Sequence, residues 1–431
     1  MPGLCLWLVA VLSAALSTLS QASGLSPLEY GYPLTNPFEA TIATTPAELR
    51  PDLPSSKHIR QRDYHLTLLK DRAKQLPDNF WPVKHASYRL AQHSSAAPLI
   101  FIIAGTGSHY SNSTSEFLKK LFYGAGMHVV QLSSPTSYDF ITAASRSATP
   151  GSTPDDAADL YALMQAIKAA HPKLATTEYF LTGYSLGALQ AAFVSHLDET
   201  KQAFNFKRVL MINPPVNLLT SVSLLDRLVH ADVKGVNNNT TFYDLIMNKL
   251  TRYFHEKGYI DLNEAVLFDF QQSGQKLSDE QLAMLIGAAF RFASADISFT
   301  SDLINRRGLI TPPNYPMSDG TSLTPFFKRA LQCDFECYLH DQLSPYWLSQ
   351  NPGRSFEQMV FTFSLHALEA YLKNSDKFLV MHNADDFIIN ASDLAFLRRT
   401  FGERLLVYPH GGHCGNLNYR VNSQTMLEFL Q

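Results

Sequence analysis

Residues 177–188 read TEYFLTGYSLGA. The β-rich TEYFLT runs directly into Gly183-Tyr184-Ser185-Leu186-Gly187, and from Leu186 the chain continues as LGALQAAFVSHLDE, rich in Ala and Leu with helical spacing. The pentapeptide recurs by chance in many chains. Its meaning comes from the strand-turn-helix setting, in which a serine sits on a tight turn with its hydroxyl lifted clear of the backbone. Such a turn brings neighbouring backbone so close that a Cβ at 183 or 187 would collide, which accounts for glycine at both places. Ser185 would then stand above the carboxyl edge of the strands, where open α/β sheets bind ligands. The plainer alternative is a loop serine between two glycines, and the rest of the chain decides between them.

Outward from this stretch, PLIFIIAG at 98–105 and MHVVQLS at 127–133 are short apolar runs followed by loop chemistry, as buried parallel strands are. FKRVLMINP at 206–214, KFLVMHN at 377–383 and RLLVYPH at 404–410 read the same way. Helical patterns lie between them: STSEFLKKLFYGAG, then TPDDAADLYALMQAIKAAHP at 153–172 with Thr153 as N-cap, Pro154 at N1 and Pro172 as terminator, then SDLAFLRRTFG, and a last helix near 421–430. Alternating β and α elements predict an α/β fold, a mainly parallel sheet flanked by helices. From 216 to 375 the alternation stops. TTFYDLIMNKLTRYFHEKG, SDEQLAMLIGAAFRFASADI and RSFEQMVFTFSLHALEAYLKN predict an inserted, mainly helical cap.

A serine hydroxyl needs an adjacent base, oriented in turn by a third group. YPHGGHCGN supplies two histidines: His413, in the loop after the last strand with Gly411 and Gly412 to let it curl back, and His410, which abuts the strand end and reads as a supporting residue. VMHNADDFIIN supplies neighbouring aspartates, Asp386 as the favoured acid and Asp385 as the alternative one residue away. Negative charge on an attacked carbonyl oxygen calls for preorganised N–H groups. The Leu186 amide at the start of its helix is one candidate, and Thr106, or else Gly107, in the GTGSH loop after PLIFIIAG is the other. No Walker or GxGxxG pattern makes that loop a phosphate cradle. HEKGY at 255–259 lacks the second histidine of a zinc-protease helix, so neither metal nor cofactor is expected.

With these parts in the order Ser, Asp, His, the chain resembles the α/β-hydrolase superfamily with a large helical lid. The resemblance implies a core over 98–215 and 376–431, a cap over 216–375, and first strands of the core within 24–97. One departure is Ala104-Gly105 where many relatives have His-Gly before the oxyanion residue, which touches the fine geometry of that loop but not its backbone donor. The expected activity is that of a serine hydrolase acting on a carboxylic ester through an acyl-enzyme. Amide or peptide hydrolysis and acyl transfer use the same groups, and a non-catalytic binding protein on this fold is the alternative of another class. The aromatic and aliphatic residues of the cap, as in TPFFKRAL and SPYWLSQ, suit an apolar acyl or alcohol group.

Composition bounds the rest. At 431 residues, 45% hydrophobic and 17% charged, the chain can bury a sizeable core. A formal charge of -3 without a dense Lys/Arg cluster argues against a nucleic-acid partner. The apolar stretch from Leu4 to Leu19, followed by small residues around Ala22 and Ser23, has the shape of a secretory signal over 1–23, so the expected location is periplasmic or secreted, with no stable membrane insertion of the mature chain. Of four cysteines, Cys5 would leave with the signal. Cys333 and Cys337 are close enough to pair if the backbone bends, which leaves Cys414. Sequons occur at Asn112, Asn238, Asn239 and Asn390, two of them beside the proposed site, where a glycan would be awkward.

Overall fold

The computed structural model describes residues 27–76, 83–229, 277–318 and 320–431. The signal segment 1–23, the cap sequence TTFYDLIMNKLTRYFHEKG with its HEKGY, and the sequons at Asn238 and Asn239 lie outside the described residues.

An eight-stranded sheet forms the centre, in the order β1-β2-β4-β3-β5-β6-β7-β8. Its strands are β1 Gln61–Leu66, β2 Ala86–Ala91, β3 Ala97–Ile103, β4 His128–Leu132, β5 Thr176–Tyr184, β6 Arg208–Ile212, β7 Phe378–Asn383 and β8 Leu405–Tyr408. β2 runs antiparallel to both β1 and β4, and every other pairing is parallel. In the middle, Phe101 of β3 lies between Val130 of β4 and Leu181 of β5. Residues of the inner strands are apolar on both faces because both faces are covered. Leu99, Phe101 and Ile103 enter one core cluster with Leu160, Leu189 and Phe204, while Ile100 and Ile102 enter another with Leu118, Phe122 and Met426. The helices Thr153–Ala170 and Leu186–Lys201 thus cover one face, and Ser113–Gly124 and Arg420–Leu430 the other. This is the α/β-hydrolase architecture.

The first strands, which sequence reasoning left unplaced within 24–97, are β1 and β2. β1 is a polar edge strand held by the cross-strand pair of Asp63 and Arg89, whose carboxylate and guanidinium lie 2.6 Å apart. The start of the 153–170 helix also differs by one residue. Ser152 is the N-cap and Thr153 the first helical residue, because the Thr153 hydroxyl donates instead to Phe363 O across the chain at 2.8 Å.

Between β6 and β7 the described residues are mainly helical, with a loop over 306–318. The longest element is Asp279–Asn305, opened by a capping box of Ser278 and Gln281. By length and composition it could cross a membrane, but 83% of its apolar window is buried inside the molecule. RSFEQMVFTFSLHALEAYLKN, expected as one helical segment, is divided into Phe356–Thr362, Leu365–Leu368 and Glu369–Asn374, broken where Leu365 N–H donates to Val216 O. Cys333 and Cys337 form a disulfide.

Candidate active site

Strand order reverses around β3 and β5, and the loops that leave the carboxyl ends of β3, β5, β7 and β8 converge there. Ser185 follows β5 and caps the helix Leu186–Lys201 at φ 54° and ψ -128°, a conformation that L residues occupy at a cost of about 1–3 kcal/mol. Two tight contacts maintain it. A Cβ on Gly183 would lie 2.1 Å from Gly187 O, and one on Gly187 would lie 2.2 Å from Ile103 O. Ser185 N–H donates to Ile212 O at 2.9 Å, which extends the β5–β6 ladder to the turn itself.

His413 Nε2 is 2.8 Å from Ser185 Oγ, and its Nδ1 is 3.0 and 3.2 Å from the two oxygens of Asp386. All three residues are buried. Asp386 also accepts from Asn213 Nδ2 at 2.8 Å and from Ile388 N–H at 3.1 Å. Burial opposes ionisation of this carboxyl. The charge of His413 and its hydrogen bond, then His382 and Asn213, outweigh burial and hold it below the usual carboxylate range. An ionised Asp386 makes Nδ1 the donor nitrogen of His413 and leaves Nε2 to accept the Ser185 proton.

Asp385 and His410 take other parts. Asp385 accepts from Gly411 N–H at 3.2 Å and Gly412 N–H at 2.9 Å, so it braces the histidine loop from below. Burial raises its pKa, and the two amides only partly offset that. His410 Nε2 bonds Tyr32 O at 2.7 Å, and it is His413 that meets Ser185.

Of the amides, Gly107 N–H is engaged by Thr136 Oγ1 at 2.8 Å, whereas those of Leu186 and Thr106 have no hydrogen bond among the described residues. Thr106, Leu186, Ser185 and His413 border one cleft with about 890 Å³ of empty space, part of it open to solvent. Its far walls are Leu218, Val222, Ile297, Phe335, Leu339 and Phe363, and among the described residues none that borders it carries a carboxylate, ammonium or guanidinium group. The helix Asp279–Asn305 forms part of the roof: Ala293 lies against Gly107, where an added Cβ would be 3.0 Å from Ala293 Cβ. Among the described residues no group of His, Cys, Asp and Glu side chains could hold a metal ion.

Sequence reasoning did not find Asn213, His382 or the N-terminal contacts of the loop. Asn213, at φ 47°, follows β6 directly. An Asn at a strand end is a signal for left-handed backbone, but nothing in its spacing from Asp386 says that the two meet. Asn112 and Asn390 are helix N-caps. The Asn112 amide, buried, donates to His109 O and Ser115 Oγ and accepts from Tyr184 OH, so this fold has no room for a glycan there.

No family model matches the chain, and no curated protein matches its sequence. Solved structures do. The chain is similar to an arylesterase at 13% identity over 89% of this chain and 86% of that one, with a TM-score of 0.40. It is similar to the thioesterase domain from the curacin biosynthetic pathway at 12% identity, over 86% and 99%, with a TM-score of 0.39. A Pyrobaculum calidifontis esterase aligns at 12% identity, over 88% and 85%, with a TM-score of 0.38. The likeness is loose, and the architecture stands on the strand order and the turn at Ser185 rather than on it.

Proposed function

We propose that the chain is a serine hydrolase that cleaves carboxylic esters with an apolar acyl or alcohol group. The observation that carries this reading is the continuous hydrogen-bonded chain Ser185–His413–Asp386, which ends at a cleft bordered by two amides that have no hydrogen-bond partner among the described residues. In the first half-reaction Ser185 Oγ bonds the ester carbon while its proton passes to His413 Nε2. The carbonyl electron pair moves to oxygen, where the Leu186 and Thr106 N–H groups meet the charge. As the carbonyl re-forms, the C–O bond to the alcohol breaks and the alkoxide takes the proton from His413. Water then repeats the sequence on the acyl-enzyme, releasing the carboxylic acid and returning the proton to Ser185. Asp386 keeps His413 in the accepting tautomer and stabilises it once it is protonated.

The ester reading is favoured over a peptidase by the cleft walls, since among the described residues none that borders the cleft carries a permanent charge to meet a peptide terminus. Action outside the cytoplasm is supported by the Leu4–Leu19 pattern and by the Cys333–Cys337 disulfide, a bond that persists in oxidising compartments. A fluorophosphonate should label wild type at Ser185 and leave Ser185→Ala unlabelled, and p-nitrophenyl esters from acetate to palmitate should be cleaved faster than the matching anilides. Folded wild type that resists several such probes at neutral pH would return the binding-protein alternative to first place.

A further inference from the structure

The loop that carries His413 belongs to no helix or strand and is closed on itself only by turn bonds, such as Gly415 N–H to Gly411 O at 3.0 Å. Gly411 lies at φ 149°, Gly412 at 58° and Cys414 at 63°, and Gly415 follows. Glycines and left-handed residues in succession leave the chain free to take many paths. From within the sheet it is held by Asp385 and by Asn383 Nδ2, which donates to Gly412 O at 2.8 Å. On the opposite side it is held by residues 30–45, more than 360 positions earlier in the chain. Tyr32 OH donates to Gly415 O at 2.9 Å, with Thr45 Oγ1 on the same oxygen at 3.3 Å. Tyr30 OH joins Asn416 to Asn422, each bond 2.8 Å. The fit is backbone to backbone: a Cβ at 412 would lie 2.0 Å from Pro37 O, and one at 415 would lie 2.1 Å from Ala40 O.

Within this arm one group reaches the proposed base itself. Thr41 Oγ1 accepts from His413 N–H at 2.9 Å and donates to Pro37 O at 2.7 Å. Both capacities of the hydroxyl are used in a line from the helix Pro37–Ala43 to His413. That helix is fixed in turn by Asn36, which caps Phe38 N–H and Glu39 N–H and donates to Asp279 Oδ1 at the start of the long helix. The Phe38 ring packs tilted against that of Phe387, centroids 5.2 Å apart, and the Phe387 ring is 6.2 Å from that of His413.

We propose that Thr41 is a positioning residue for His413 and that residues 30–45 form the outer half of the histidine's mount. This rests on the reading of Ser185 and His413 as nucleophile and base. Without the hydroxyl, the His413 amide has no acceptor and the loop relaxes toward the glycines' wider range. A shift on the order of 1 Å in a reacting group costs about 10²-fold in rate. Thr41 does not border the cleft, so the effect falls on turnover and not on substrate affinity.

The test compares Thr41→Val, which keeps the shape without the hydrogen bonds, with Thr41→Ser, which keeps the hydroxyl. Full-length protein is assayed for fluorophosphonate labelling rate, for kcat and KM on an accepted ester, and for thermal melting. Thr41→Val should lose roughly 10- to 100-fold in kcat and in labelling rate with KM within about twofold, and Thr41→Ser should recover to within about threefold of wild type. If Thr41→Val does not fold, Asn36→Ala, at a partly exposed cap, should lower kcat in the same direction by about 3-fold or more. Wild type that is labelled at Ser185 while Thr41→Val or Asn36→Ala turns over normally overturns the positioning role alone. So does a fall of equal size in both Thr41 variants that tracks their loss of stability. Wild type that is neither labelled nor active overturns the hydrolase reading, and the role of Thr41 with it.

Discussion

Replacing Asp386 with Asn changes one oxygen to an amide nitrogen, and the surroundings leave that nitrogen no good place. One carboxylate oxygen accepts from Asn213 and the other from Ile388, while His413 Nδ1 faces both. An NH2 on either side meets a donor. If it meets Nδ1, the imidazole must carry its proton on Nε2, where it can no longer accept one from Ser185. The developing imidazolium also loses its counter-charge. A wrong tautomer of this kind costs about 10⁴-fold in kcat, or about 5.4 kcal/mol at 1.36 kcal/mol per decade. Asp385→Asn is milder, because its remaining oxygen can keep one of the two amides of Gly411 and Gly412. That should cost about 1–2 kcal/mol of stability and at most about tenfold in kcat. The assay is turnover of each variant on any ester the wild type accepts, with melting curves to show that both are folded. A dead Asp385→Asn beside a nearly normal Asp386→Asn would refute the assignment by one residue. Full activity in both would place the acid elsewhere.

Asp296, on the long helix, is pushed up to about 7, first by burial and then by the charge of Asp139. The folded protein therefore favours the protonated form, and stability is lost as pH rises from the ordinary carboxylate range through 7. Asp296→Asn should melt higher than wild type at pH 8, with the gap closing towards pH 4; a gap that is constant with pH would count against the shift. Protein recovered from its own host's export path should begin at one of the residues Ser23 to Ser26, as N-terminal sequencing would read, and a cytoplasmic chain that still begins at Met1 would remove the localisation proposal.

The parts of this fold legible in the sequence are those governed by local rules. β3 to β8 are short apolar runs because both faces of a parallel sheet are buried, and the pattern is visible without knowledge of any neighbour. The glycines at 183 and 187 announced a turn because no other residue fits there, and the contacts at 2.1 and 2.2 Å are the steric cause. β1, with polar residues on an edge, carries no such pattern, and its pairing with β2 rests on partners such as Arg89. Candidate residues could be named because strand ends in this topology face one side, but a shift of one residue between Asp385 and Asp386 lies below what spacing resolves. Only the three-dimensional path of the β7 and β8 loops gives one carboxylate to His413 and the other to Gly411 and Gly412. The same holds more strongly for Thr41, Asn213 and Asn416, ordinary polar residues on loops and a short helix. Their roles depend on contacts between distant parts of the chain, and hydrogen bonds of that kind leave no period or motif along it.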